Sequence, residues 1–287
     1  MKIKEIIDEG KNILNRNNFE DSSIISKELL CYTLNQNKQY LVINMDKEVD
    51  EKEYQQYKNN LKEIIEGKPL QYITNKQEFM GLDFYVDENV LIPQPDTEVL
   101  VESVLEICNN IKNEQTIKIL DLCTGSGAIA ISLSKILNKK NVKNKIIASD
   151  ISDKALEVAK RNNEANKTNV EFIYSNLFEQ IEENDFEIIV SNPPYIRDHI
   201  ISTLSKQVQC EPIIALAGGE DGLNFYREII DKAHLHIKNN GYLCLEIGYD
   251  QKKDVLNLFK DYEKYRDIKV VKDLSNNDRC VISKVIL

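Results

Sequence analysis

Ile117-Lys118-Ile119-Leu120-Asp121-Leu122-Cys123-Thr124-Gly125-Ser126-Gly127-Ala128-Ile129-Ala130 reads as a strand, a glycine turn and the opening of a helix. An apolar run of strand length is followed by two glycines, which let backbone approach a ligand closely, and then by a helix N-terminus with unpaired N–H groups. Outward from there strands alternate with helices. The spacing predicts further strands at Ile146 to Ser149, Val170 to Tyr174, Phe186 to Val190, Tyr242 to Ile247, Ile268 to Val271 and Cys280 to Val285, with helices after residues 127, 152, 222 and 250. That order implies an α/β fold: a mostly parallel, doubly wound, Rossmann-like sheet that binds ligands at the carboxyl ends of its strands.

The preceding sequence has a different rhythm. Residues 1–75 place apolar side chains at helical spacing, among them Ile3, Ile6, Ile7, then Ile24, Ile25, Leu29, Leu30, then Tyr54, Tyr57, Leu61 and Ile64. Asp21-Ser22-Ser23 reads as an N-cap and Gly67-Lys68-Pro69 as a helix stop. This is a small helical domain with no catalytic grouping, suited to docking. Residues 76–95 alternate in short stretches broken by Gly81 and closed by Pro93 and Pro95, as a β-hairpin linker would. A helix follows from Asp96, and 96–287 forms the larger domain.

The 287 residues are 42% hydrophobic and 29% charged, which excludes a disordered or fibrous chain. The net charge of −10 argues against a broad phosphate-binding surface and favours a protein or small-molecule substrate. Neither a signal-peptide core at Met1-Lys2-Ile3-Lys4-Glu5 nor an apolar run of spanning length is present, so a cytoplasmic protein is expected. The six cysteines are dispersed without a Cys-x-x-Cys pair and the histidines number three; reduced core thiols and no metal site are expected. His199, His234 and His236 read as solvent-facing or packed side chains.

The glycine turn resembles a dinucleotide loop, but it opens on an acid. Asp121 would repel a phosphate and could anchor an ammonium group, which S-adenosylmethionine carries. Asp150, at the end of the second strand, is placed to accept hydrogen bonds from ribose hydroxyls, or to cap the helix beginning near Ser152. Asn176-Leu177-Phe178 follows the third strand, where an adenine ring would lie, with Asn176 able to bond its edge. An NAD oxidoreductase using the same loop remains an alternative, since Ala130 can stand in the third glycine position.

Asn192-Pro193-Pro194-Tyr195 separates these readings. Two successive prolines fix a rigid, non-helical loop after the fourth strand and leave carbonyls free to accept. The Asn192 side-chain oxygen and the Pro193 carbonyl supply two acceptors for the two N–H groups of a planar amide or amine, and the Tyr195 ring can lie on its flat face. Methyl transfer to a planar nitrogen follows.

Taken nearly end to end, the chain resembles the HemK/PrmC family, which methylates the glutamine of the Gly-Gly-Gln motif in peptide chain release factors. The marks are Leu91-Ile92-Pro93-Gln94-Pro95-Asp96-Thr97-Glu98, Asp121 to Gly127, Ser191 to Tyr195, Glu211-Pro212, Leu216 to Leu223 and Asn277-Asp278-Arg279. The resemblance implies that the loop Cys123, Thr124, Gly125, Ser126 and Gly127, with Asp150, Leu177 and Asn192, contacts S-adenosyl-L-methionine. It implies that Asn192, Pro193, Pro194 and Tyr195 hold the target glutamine, with Glu211 also on the substrate side, and that the helical N-terminal domain helps to recognise the release factor. Family members often carry Arg where this chain has Gln94, Gly at Cys123, an aromatic at Leu177 and Arg-Phe at Gln209-Cys210. The nearest rival is an N6-adenine nucleic-acid methyltransferase, whose exocyclic amine offers the same two hydrogens but needs phosphate contacts and base capture. A non-catalytic cofactor-binding scaffold is a further alternative. A monomer is expected.

Overall fold

The computed structural model describes residues 1–111 and 116–287. They cluster into two units, Met1–Asn75 with Ser205–Cys210, and Lys76–Leu204 with Glu211–Leu287.

In the first unit, α1 (Ile3–Arg16), α2 (Ser22–Leu34), α3 (Lys38–Ile43), α4 (Glu51–Glu66) and α5 (Leu70–Thr74) surround their own core. Ile6, Leu14, Leu29, Leu30, Tyr57 and Ile64 fill it completely buried. Asp50 caps α4 by accepting from Glu53 N at 3.0 Å, and Gly67, at φ +118°, ends it in the left-handed conformation. Asp21 occupies the N-cap position of α2 but makes no side-chain cap bond; Ser22 Oγ donates back to Phe19 O instead. Residues 205–210 join this unit because Cys210 Sγ donates to Gly67 O at 3.4 Å and Lys206 lies directly over Gly67. Nothing in the sequence separates that segment from its neighbours.

The second unit opens with the hairpin β1 (Gln77–Phe79) and β2 (Leu82–Phe84), whose Phe79 and Phe84 rings meet edge to face. Then come α6 (Glu98–Asn109), β3 (Ile117–Leu122), α7 (Ala128–Lys139), β4 (Asn144–Asp150), α8 (Asp153–Asn166), β5 (Val170–Tyr174) and β6 (Phe186–Ser191). The single-turn helices α9 (Asp198–Ile201) and α11 (Ile213–Leu216), with the first unit's α10 (Lys206–Gln209) between them in sequence, precede α12 (Asn224–Ala233), β7 (Ile237–Glu246), α13 (Lys252–Phe259), β8 (Tyr265–Lys272) and β9 (Asp278–Val285). The seven long strands lie in the order β5-β4-β3-β6-β7-β9-β8. The first five are parallel, and β9 runs antiparallel to both neighbours.

Both faces of this sheet are covered, which is why its central strands are continuous apolar runs rather than alternating ones. On one face Leu120, Leu122, Ile189 and Leu243 pack with Tyr226, Ile229 and Ile230 of α12. On the other, Ile119, Ile188, Val190 and Cys244 pack with Val101 and Val104 of α6 and Leu133 and Leu137 of α7. Cys31, Cys108, Cys244 and Cys280 are buried free thiols, Cys123 is half-buried and Cys210 exposed. Among the described residues no helix is long and apolar enough to cross a membrane.

Candidate active site

The strand order reverses between β3 and β6, and a cleft opens there, at the carboxyl ends of the strands. It is open to solvent. Gly125, Asp150, Leu177, Asn192 and Pro194 line it, with Cys123, Asn176 and the α11 residues Ile214 and Ala215.

The glycine turn is shaped by its backbone. Cys123, Gly125 and Gly127 all stand in the left-handed region, at φ +58°, +54° and +80°. A side chain at Gly125 would project into open space, whereas one at Gly127 would strike Ile131 and Ala159. The first glycine therefore keeps the cleft clear, and the second lets α7 approach α8. Asp150 organises the turn from β4: its two carboxylate oxygens accept from Gly125 N and Ser152 N, each at 2.9 Å. Burial pushes its carboxyl up, and these backbone donors oppose that. The helix cap itself falls to Ser152, whose hydroxyl accepts from Ala155 N.

Asp121 does not reach the cleft. It is wholly buried, accepts from the Thr124 hydroxyl at 2.6 Å and leaves Oδ1 without a partner; burial pushes its carboxyl up to about 7. Its place is beneath the turn, where it holds the Thr124 hydroxyl. Thr124, Ser126 and Gly127 are likewise part of the turn's frame rather than of the cleft lining. Asn162 of α8, which the sequence did not single out, clamps that frame. Fully buried, it donates to Ser126 O at 2.9 Å and Tyr85 O at 3.0 Å, and accepts from Tyr85 N at 2.7 Å.

The Asn-Pro-Pro-Tyr loop leaves β6 beside the turn. Ser191 Oγ donates to Leu122 O at 2.8 Å, fixing the ends of β3 and β6 together. Asn192 Nδ2 donates to Thr97 Oγ1 at 3.2 Å. Behind the loop, Ile196 N and O bond Leu216 O and Gly218 N, and Gln251 Nε2 donates to Tyr195 O and Gly222 O. A Cβ at Gly218 would lie 2.7 Å from Tyr195 Cα, and one at Gly222 2.5 Å from Tyr195 O. Gly218 and Gly222 thus let this segment buttress the loop. Pro193 and Tyr195 are not among the cleft-lining residues. The half-buried Tyr195 ring packs against the core, and its hydroxyl donates to Glu246 Oε1 at 3.3 Å.

Glu211 also lies outside the cleft lining. Its Oε2 accepts from Ile92 N at 2.9 Å. Within the segment from Leu91 to Glu98, Asp96 pairs with Arg279 at 2.9 Å, Thr97 accepts from Asn192, and Glu98 accepts from Met80 N. Arg279 is held in turn by Asp273. Two stretches far apart in sequence, each prominent as a motif, meet at Asp96 and Arg279.

The fold and cleft define a class I methyltransferase. A chain from Listeria monocytogenes described as a class I S-adenosylmethionine-dependent methyltransferase superposes with a TM-score of 0.51 over 99% of this chain and 87% of its own, at 14% identity. A methyltransferase from Pyrococcus furiosus does so with a TM-score of 0.50 over 80% and 99%, at 21% identity. The family model described as Methyltransferase small domain matches residues 97–209, and the PrmC N-terminal domain model matches residues 5–74. The release factor glutamine methyltransferase of Clostridium acetobutylicum is 41% identical over 99% of this chain and 98% of its own; that of Fusobacterium nucleatum is 37% identical over 98% and 78%. The chain belongs to the release factor glutamine methyltransferase family.

Proposed function

We propose that this protein transfers a methyl group from S-adenosyl-L-methionine to the side-chain amide nitrogen of the glutamine in the Gly-Gly-Gln motif of peptide chain release factors. The observation that carries this reading is the Asn192 carboxamide. It lines the cleft with its nitrogen engaged by Thr97, leaving its oxygen free to accept from a planar nitrogen. The names and near-complete overlap of the curated relatives support the choice of a release factor glutamine over an adenine amine.

The cleft's donor set suits the cofactor. Asp150 offers a carboxylate at the end of β4, Gly125 leaves space where a Cβ would intrude, and Leu177 and Ile151 give apolar walls. When bound, S-adenosylmethionine supplies an electrophilic methyl group. The chain's own part is placement. A primary amide is a weak nucleophile because its lone pair is delocalised. Asn192 Oδ1 and the Pro193 carbonyl would accept its two hydrogens and orient the nitrogen in line with the methyl. Such positioning is worth about 7–11 kcal/mol of barrier, and the fixed dipoles stabilise charge developing on nitrogen. Residues 1–75 would recognise the factor, residues 76–95 would link, and residues 96–287 would carry the chemistry.

Incubation with labelled S-adenosylmethionine and a cognate release factor tests the reading. Label is expected on the factor and not on its Gly-Gly-Ala variant. Asn192→Ala should abolish transfer while the cofactor still binds. Label on nucleic acid alone would overturn the assignment.

A further inference from the structure

The peptide joining Tyr195 to Ile196, where the chain leaves the Asn-Pro-Pro-Tyr loop, is held from two sides. Its N–H donates to Leu216 O at 2.9 Å, and its carbonyl accepts from Gln251 Nε2 at 3.0 Å. The N–H and C=O of a trans peptide point in opposite directions. The α11 segment and the turn from Gly248 to Gln251 therefore lie on opposite edges of the chain that leaves the loop.

Each flank is also fixed within itself. In α11, Pro212 O and Ile213 O accept from Ala215 N and Ala217 N, both at 2.9 Å, and Glu211 clasps the start of the helix to Ile92 N. In the other turn the buried Gln251 bonds Gly248 twice, N to O at 2.9 Å and Oε1 from N at 3.0 Å, while Asp250 accepts from Arg197 at 2.8 Å.

What these braced turns present to solvent is apolar. Ile213, Ile214 and Tyr249 are 67%, 53% and 70% exposed, and Ile214 also lines the cleft. Single apolar side chains on a surface are ordinary. Three on two rigid turns beside the loop that carries Asn192 mark an interaction surface. Arg197, the cation of that segment, is already engaged by Asp250, so the surface has little to offer a phosphate and suits an uncharged stretch of protein.

We propose that Ile213, Ile214 and Tyr249 form the docking surface for the release factor, receiving the apolar, uncharged chain on either side of its target glutamine. The proposal rests on the substrate reading above and adds how the flanks of that glutamine are held. A glutamine side chain is short, so the chain that carries it must cross the mouth of the cleft when its amide reaches Asn192, and the edges it crosses are these two turns. Because both turns are hydrogen-bonded in place, little ordering entropy is lost when they are covered. Aromatic and aliphatic anchors of this kind hold most of an interface's binding energy.

The test uses the full chain with two double variants, Ile213→Ser with Tyr249→Ser and Ile213→Leu with Tyr249→Phe. Leu235→Ser is the control, since Leu235 is 64% exposed but precedes β7, at the opposite end of the sheet. Ile214 is left unchanged because it lines the cofactor's cleft. Steady-state transfer to a release factor gives KM and kcat, and calorimetry gives cofactor affinity. The serine pair is expected to raise KM for the factor by about 10- to 100-fold, with kcat and cofactor affinity within about threefold of the parent. The leucine–phenylalanine pair and Leu235→Ser should keep the parental KM. A parental KM in the serine pair, or an equal rise in Leu235→Ser, would overturn the docking surface. Should the serine pair fail to fold, hydrogen exchange of the parent decides: the factor should slow the amides of Ala215, Ala217 and Gln251 and leave that of His236 unchanged, and no slowing would overturn the proposal. A parent that methylates no release factor would sink the substrate reading and this occupant together, whereas a parental KM in the serine pair with methylation intact sinks the surface alone.

Discussion

Glu211 shows what a single buried acid does to this molecule. Burial pushes its carboxyl up to about 7, and the Ile92 N–H alone favours its charge. The folded state therefore holds its proton more tightly than the unfolded chain does. The stability this contributes is complete below the ordinary carboxylate range and is lost as pH rises through about 7. Glu211→Gln keeps an acceptor for Ile92 and removes the charge. Its melting temperature relative to the parent should be more favourable at pH 8 than at pH 5, and an unchanged difference between those pH values would count against burial as the cause. Cys123 is the residue where sequence reasoning had a signal: a non-glycine at φ +58° beside two glycines, in a position where relatives often have glycine. The direction of the Tyr195 ring lay beyond it, because that depends on Glu246, 51 residues away.

Among elements, the turn between β3 and α7 separates two kinds of glycine. Gly125→Ala places a methyl in open space at the cleft, so it should cost only the left-handed strain, about 1–2 kcal/mol, yet weaken cofactor binding. Gly127→Ala adds a clash with Ile131 and Ala159 and should cost about 2–4 kcal/mol. Thermal denaturation and cofactor titration of the two variants check this; equal losses of affinity and stability in both would refute the distinction. Asn162 joins α8 to the hairpin's exit and to that turn through three hydrogen bonds. Asn162→Ala strands the buried Ser126 carbonyl and the part-buried Tyr85 carbonyl and N–H and should destabilise the second unit by about 2–4 kcal/mol, read from denaturant unfolding. The sequence offered no sign of it, since one asparagine in a helix rich in asparagine looks solvated.

At the scale of the whole molecule, each unit has its own core, and residues 205–210 fold with the first although they lie deep within the sequence of the second. Leu30→Ala should cost the helical unit about 2–5 kcal/mol. Hydrogen exchange should then quicken across residues 1–75 and 205–210 together while β3, β6 and β7 stay protected; quickening confined to residues 1–75 would contradict the grouping. What the sequence determined by itself was whatever repeats locally: helical spacing in residues 1–75, apolar runs of strand length, glycines at turns, and a proline pair that cannot be anything but a loop. Those features fixed the sheet, the end of it that binds, and the segments that meet there, because periodicity and backbone restriction act over a few residues. The tertiary structure decided which of the motif side chains face the cleft and which stand behind it. Asp121, Tyr195 and Glu211 turned inward, and Asn162 became a clamp on the turn, because direction is set by partners that only the folded chain brings within hydrogen-bonding distance.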